Sequence, residues 1–143
     1  MNRDARKAEA LAALTIRSAA GIGNITGNRL VRAFGSAADV LTASYSELAV
    51  VEGVKPQTVS ALRSGENRRE AEAVLDLCEK RGVRVLVPGS DDYPRSLMEL
   101  DDRPLALFAR GACIWPERAV ALVGTRLASP AGLKIARDFA KFM

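Results

Sequence analysis

A turn that follows an apolar stretch near residue 123 carries the residues best suited to bind a phosphate. A strand, a glycine turn and a helix N-terminus in succession direct backbone N–H groups toward an anion. Arg126 adds a planar fork of donors and Thr125 adds a hydroxyl, and both suit phosphate oxygens. Ser129 is a typical helix cap, with Pro130 at the first helical position. We therefore predict a phosphate-binding loop formed by Gly124, Thr125, Arg126, Ser129 and Gly132.

This loop lacks the fingerprints of the common nucleotide-binding loops. The pattern Gly-x-Gly-x-x-Gly is absent, and Arg126 lies where a small residue would be required. The Walker pattern Gly-Lys-[Ser/Thr] is absent as well. Taken alone, the segment is also compatible with a plain strand-to-helix connection.

Two turns near the N-terminus form a second candidate site. Residues 21–23 (Gly-Ile-Gly) precede one predicted helix, and residues 53–55 (Gly-Val-Lys) precede another, 32 residues later. Both are similar to the hairpin of a helix-hairpin-helix motif, whose backbone N–H groups bind a phosphate without reading base sequence. The secondary candidate DNA contacts are Gly21, Ile22, Gly23 and Lys55. Nearby arginines would add positive charge: Arg17, Arg29, Arg32 and Arg63.

These turns also have a purely structural interpretation. Gly-Ile-Gly turns join helices in sterile-alpha-motif-like domains that bind only protein. In the second turn, Glu52 precedes the glycine and would repel a phosphate. Both interpretations stay open on the sequence.

Composition excludes several classes of function. The chain has no histidine, so a Ser-His or Cys-His nucleophile is ruled out, and we do not expect a hydrolase. Cys78 and Cys113 are isolated, which argues against a metal site and a disulfide framework, and no cofactor is implied. The net charge of +4 permits binding to polyanions without establishing it. Neither a signal peptide nor a membrane span is indicated, and we expect a cytoplasmic protein.

The elements that position these turns fall into two parts. Residues 1–64 contain five short helical patterns, with capping residues such as Ser36 and Ser44 at their starts and glycines at their ends. Residues 65–143 alternate between helix and strand, with strands predicted at 83–87, 105–109 and 119–123 and a last helix from Pro130. We therefore predict an all-α domain over residues 1–64 followed by an α/β domain over residues 65–143.

The third predicted strand, at 119–123, is apolar throughout, as a strand buried on both faces of a parallel sheet would be. Such a strand requires neighbours on both edges, and a βα unit requires a second parallel strand. The chain supplies neither after its last helix. We therefore expect it to be the front portion of a longer protein.

In order along the chain, three segments resemble the DNA-processing protein A family, also called Smf. The turn at 21–23 with Phe-Gly-Ser at 34–36 resembles its N-terminal module. The segment 93–111, which begins Tyr-Pro and ends Leu-Phe-Ala-Arg-Gly, resembles the family's YP–L–I–D–P–LY–G run. The segment from 121 to Gly132 resembles its VGSR…YG loop. Two departures are that Thr125 replaces a serine and keeps its hydroxyl, and that Ala131 replaces an aromatic residue able to stack on a base.

The resemblance implies a fold and a function. The fold is a helix-hairpin-helix or sterile-alpha-motif-like domain followed by the incomplete start of a Rossmann-like DNA-binding domain. The function is non-enzymatic: binding of single-stranded DNA during natural transformation and loading of the recombinase RecA. The full-length protein would be a homodimer, with RecA contacts beyond residue 143. Two other classes remain open, a nucleotide-derivative-binding Rossmann-like protein and a protein-interaction module built on residues 1–64.

Overall fold

The N-terminal part of the chain is a set of helices that share one hydrophobic core. The structure is a computed structural model that describes residues 3–112, 115 and 120–142. Its first five helices are α1 Arg3–Ser18, α2 Asn24–Phe34, α3 Ala37–Thr42, α4 Tyr45–Ala49 and α5 Pro56–Leu62. The prediction of five short helices over this region is confirmed.

Local capping explains where these helices begin and end. The Ser44 hydroxyl accepts the Glu47 N–H while the Glu47 carboxylate accepts the Ser44 N–H, so α4 starts with a complete capping box. Gly35 ends α2 with a φ of 94°, and its N–H donates to the Val31 carbonyl. At α3 the Ser36 hydroxyl accepts the Asp39 N–H.

The start of α3 has a second cap that its own sequence does not reveal. The carboxylate of Glu9, on α1, accepts the N–H groups of Ala37 and Ala38 at 2.7 and 3.0 Å. A carboxylate at a helix N-terminus satisfies exposed donors and complements the helix dipole. This contact fixes α3 against α1.

A longer helix, two strands and a short helical turn follow. They are α6 Gly65–Lys80, β1 Val83–Leu86, α7 Arg95–Met98 and β2 Leu107–Arg110. The two strands pair antiparallel, with Val83 opposite Arg110 and Leu86 opposite Leu107. The first two strand predictions are confirmed within two residues. The parallel sheet expected around the third predicted strand is not formed by these two strands, which run in opposite directions.

The hydrophobic core joins these strands to the N-terminal helices. Ile16, Leu30, Val40 and Val59 are fully buried together at its centre. A second cluster brings Leu14 of α1, Ala71 of α6 and Ala106 next to β2 into contact. The chain accordingly divides into one compact unit over Met1–Cys113 and another over Ile114–Met143. That residues 1–64 fold alone stays a prediction.

In the second unit, residues 120–142 contain one helix, α8 Pro130–Phe142. Residues 120–123 form no strand, and Val123 is 92% exposed, so the predicted buried third strand is wrong for these residues. Ala119, its first predicted residue, lies outside the described residues.

The coarser prediction, a helical part followed by a part that mixes helix and strand, is confirmed. The last predicted helix is confirmed as well, with Pro130 at its first position. In the part of the chain that the structure describes, no helix combines the length and the apolar character needed to cross a membrane.

Candidate nucleic-acid interface

The predicted phosphate-binding loop is an exposed, open segment. Gly124, Thr125 and Arg126 are exposed, and a Cβ added at Gly124 would meet no atom within 4 Å. A ligand can therefore approach the backbone there without a side chain in its way. A Cβ at Gly132 would lie 3.5 Å from the Ser129 hydroxyl, an ordinary contact, so this position does not require glycine for space.

Two hydroxyls shape the loop by accepting backbone N–H groups. The Thr125 hydroxyl accepts the Leu127 N–H at 3.2 Å, which holds the bend after Arg126. The Ser129 hydroxyl accepts the Gly132 N–H at 3.2 Å, so Ser129 caps α8 as predicted. Each hydroxyl keeps its own proton, which can be donated to a further acceptor such as a phosphate oxygen.

The start of α8 offers fewer free N–H groups than its sequence indicates. Pro130 has no N–H, and the Gly132 N–H is already bonded to Ser129. The Leu133 N–H donates to the Ser129 carbonyl at 3.0 Å. In the first turn of α8, Ala131 therefore carries the remaining backbone donor without a partner among the described residues. Binding of an anion here depends mainly on the hydroxyls and on Arg126.

The two N-terminal hairpins have the same backbone course. In the first, the Ala19 N–H donates to the Ile16 carbonyl and the Ile22 N–H donates to the Ala19 carbonyl, both at 3.2 Å. In the second, the Val51 N–H donates to Leu48 at 3.2 Å and the Val54 N–H donates to Val51 at 3.1 Å. The two bonds of the second hairpin lie 32 residues after the corresponding bonds of the first, which is the spacing between the two turns.

The backbone conformation at the centre of each hairpin requires a glycine. Gly21 and Gly53 have φ values of 84° and 86°, which side chains of L-residues rarely adopt. Each glycine faces a threonine of the other motif. A Cβ at Gly21 would lie 3.1 Å from the Thr58 hydroxyl, and one at Gly53 would lie 3.3 Å from the Thr26 hydroxyl.

The threonines are also 32 residues apart, so the two motifs pack against each other reciprocally. The repeat was detectable from the sequence, because Gly21, Thr26 and Leu30 align with Gly53, Thr58 and Leu62 at that spacing. Sequence reasoning found the two turns but missed this mutual packing.

The candidate contacts in the hairpins differ in their accessibility. Gly21, Gly23 and Lys55 are exposed, whereas Ile22 is partly buried and packs against the core. Gly23 is the N-cap residue of α2 and provides no side-chain cap, so the first N–H groups of that helix are not capped by a side chain.

The arginines expected to add charge to the hairpins interact with other groups of the protein. Arg29 forms an ion pair with Glu52 at 3.1 Å, and Arg32 forms one with Asp101 at 3.0 Å. Arg63 donates to the Ala43 carbonyl at 2.6 Å, and the Arg17 guanidinium lies 5.7 Å from the centre of the Phe108 ring. The Glu52 carboxylate, expected to repel a phosphate, therefore also neutralises the nearest arginine.

Helix α2 is held to the segment that precedes β2. The buried Asn28 side chain donates to the carbonyls of Asn24 and Arg103, at 2.8 and 2.7 Å. Arg103 is also buried, and its guanidinium donates to the carbonyls of Met98 and Leu100, both at 3.2 Å. Polar groups buried in this way stabilise a fold only when they are bonded. Nothing in the run Asp-Asp-Arg-Pro identifies Arg103 as a buried residue in advance.

Tyr93, which begins the motif at 93–111, has a structural role. Its hydroxyl donates to the Pro104 carbonyl at 2.8 Å, and its side chain packs with Leu86 and Ala109 in a small core cluster. Burial raises the pKa of Tyr93, while the nearby Arg103 acts in the opposite direction. The motif therefore positions the strand pair.

Comparison with known proteins identifies one family. The family model for DNA recombination-mediator protein A matches residues 84–143, a range that includes β2, the loop, α8 and all of β1 except its first residue. No curated protein and no solved structure matches the chain. The match is confined to residues 84–143, and over those residues the predicted resemblance to this family is confirmed.

Proposed function

We propose that this protein binds single-stranded DNA during natural transformation and delivers it to the recombinase RecA, without a catalytic step of its own. The family match carries the proposal, because it covers the loop and α8 as well as the strand pair. The match to a family model of DNA recombination mediators supports a role in DNA recombination. The single-strand preference, the RecA contact, the homodimer of the full-length protein and the cytoplasmic location are parts of the proposal.

The chemistry of the loop supports this assignment. The segment carries the kinds of donor that a phosphate requires: the Arg126 guanidinium, the Thr125 and Ser129 hydroxyls and the Ala131 N–H. These donors recognise a phosphate and carry no information about base sequence. A recombination mediator that accepts any DNA sequence requires contacts of this kind.

The proposed fold of the complete domain is Rossmann-like, and the hairpin pair is a helix-hairpin-helix or sterile-alpha-motif-like module. In the proposal the hairpins are a secondary contact. Their glycine turns and the uncapped start of α2 suit a phosphate, whereas the pairing of Arg29 with Glu52 removes much of the positive charge that would attract one.

A titration of fluorescent oligo-dT, followed by anisotropy, tests the proposal. We expect the 143-residue chain to bind the single strand in preference to a duplex of the same length. The slope of log affinity against log salt should lie between about −1.5 and −3, which corresponds to about two to four phosphate contacts.

Two results would redirect the assignment. A mononucleotide that raises the melting temperature, when oligonucleotide does not, would favour the nucleotide-derivative-binding class. Self-association with no polyanion binding would favour a protein-interaction module. Equal binding of single strand and duplex would contradict the proposed preference.

A further inference from the structure

Most of the net positive charge of this chain comes from the segment that contains the loop and α8. Residues 120–142 hold four basic residues and one acidic residue, so this segment contributes +3 to a net charge of +4 for the whole chain. The rest of the chain is therefore almost neutral. Composition alone does not reveal this, because basic and acidic residues are numerous throughout.

The ion pairs between described residues lie in the first unit, outside the segment that contains the loop and α8. In the first unit, Arg6 pairs with Asp91 at 2.8 Å and Arg84 pairs with Asp92 at 2.6 Å, as Arg29 and Arg32 do with their own carboxylates. The side chains of the basic residues of α8 form no ion pair or hydrogen bond with any residue that the structure describes. Their charge remains available to a ligand.

These α8 residues form a single stripe. Lys134, Arg137 and Lys141 are all exposed and lie at positions i, i+3 and i+7, within about 60° of one another around a helix of 3.6 residues per turn. Ile135 and Phe139 lie on the opposite side of the helix. From Lys134 to Lys141 the stripe extends about 10.5 Å at 1.5 Å per residue. We call these three residues the basic stripe.

We propose that the basic stripe binds consecutive phosphates of a single DNA strand whose backbone enters at the Gly124–Arg126 loop. This inference rests on the proposed function and extends it from one phosphate to a path along the helix. The loop and α8 are consecutive in the chain, so a strand held at Arg126 continues naturally along the helix that starts at Pro130.

The dimensions and the type of charge fit a nucleic-acid backbone. Each strand of a duplex presents one phosphate per about 3.4 Å of helix axis, and the phosphates of an extended single strand lie farther apart along its length. A row of three cations over about 10.5 Å therefore spans two to three phosphates. A mixture of lysine and arginine on an exposed face gives electrostatic contacts that do not depend on sequence.

The experiment compares two triple variants that lose the same charge. The stripe variant is Lys134→Gln, Arg137→Gln and Lys141→Gln. The control variant is Arg69→Gln, Lys80→Gln and Arg81→Gln, three exposed positions on or beside α6. Circular dichroism and thermal melting establish that both variants keep the fold of the parent.

Oligo-dT titrations over a salt series then separate the two. Each phosphate contact on a single strand contributes about 0.7 to the salt slope, so loss of three contacts should reduce its magnitude by about 2, from near −3 to near −1. The same relation gives an affinity on the order of 10- to 100-fold weaker at 0.1 M salt. The control variant should keep the slope of the parent.

Each other outcome has a definite meaning. If the parent does not bind oligo-dT, the proposed function fails. If the parent binds oligo-dT and the salt slope changes by the same amount in both variants, or in neither, the stripe is not the DNA path. Only this inference is then overturned. A third outcome is that the parent binds vesicles of anionic lipid, the stripe variant does not, and the affinity for oligo-dT is unchanged. This result would assign the stripe to a membrane surface and would also overturn the inference.

Discussion

Replacement of Gly27 by alanine tests how α2 is attached to the segment that precedes β2. A Cβ at this position would lie 2.4 Å from Cδ1 and 3.3 Å from Cγ of Leu105, which is 2% exposed. Carbon atoms in contact normally lie about 3.5–4.0 Å apart, so one side chain or helix has to move. Overpacking of this kind costs about 1–3 kcal/mol.

The helical preference of alanine opposes this cost. Alanine in a helix interior is more favourable than glycine by about 1 kcal/mol. Gly27→Ala should therefore lower the free energy of unfolding by about 0–2 kcal/mol. In a Leu105→Val background, which removes the Cδ1 atom, the same substitution should become neutral or stabilising.

Urea unfolding followed by circular dichroism measures the four variants of this cycle. The expected coupling between the two substitutions is about 1–3 kcal/mol, the whole of the overpacking cost. Gly65→Ala, at the first residue of α6, is a control without overpacking, since a Cβ there would meet no atom within 4 Å. If Gly27→Ala stabilises the protein as much as Gly65→Ala in both backgrounds, α2 does not pack on Leu105 as described.

Two further predictions concern the N-terminal helices. Residues 1–64 made alone should be helical and melt cooperatively at low temperature, because loss of α6 removes Ala71 from its contact with Leu14; a random-coil circular dichroism spectrum would reject the predicted boundary. Hydrogen bonds from the Ser44 side chain and backbone lower the pKa of Glu47 below its ordinary value of 4.5. The capping box therefore contributes stability above about pH 4.5 that is lost as the pH falls through the depressed pKa. Glu47→Gln should flatten the fall in melting temperature below that pH, and an unchanged pH profile would show that the carboxylate does not cap α4.

Local signals in the sequence predicted the helices well because caps act within a few residues. The hydroxyls of Ser36, Ser44 and Ser129 accept backbone N–H groups at the predicted helix starts. Gly35 adopts the positive φ that its place after α2 indicated. Each of these features depends on neighbours in the chain, so its physical cause is visible in the sequence.

Interactions between distant parts of the chain were not predictable in the same way. The Glu9 cap on α3 and the bond from Asn28 to the Arg103 carbonyl join residues 28 and 75 positions apart. The apolar run at 120–123 had the composition of a buried strand, yet it forms no strand and Val123 is 92% exposed. Periodicity indicates which residues can be buried, and partners elsewhere in the chain decide whether they are.

The candidate loop was partly predictable for the same reason. The sequence indicated Ser129 as the cap and Pro130 as the first residue of α8, and the structure agrees. It overstated the number of free N–H groups, because the cap itself uses the Gly132 N–H. Arg126 consequently becomes the most important donor in the proposed site.

Titration of fluorescent oligo-dT with the parent, Arg126→Ala and Arg126→Lys at one salt concentration tests the proposed DNA site most directly. Arg126 is exposed and bonds to no residue that the structure describes, so both variants should melt within about two degrees of the parent, as expected for a surface substitution. Arg126→Ala should weaken binding by about 1.5–3 kcal/mol, the range for a hydrogen bond to a charged group. Arg126→Lys should recover only part of that loss, because a lysine cannot bond bidentately. Unchanged affinity in a folded Arg126→Ala variant would contradict the proposed site and leave the hairpin at Gly21–Gly23 as the remaining phosphate site.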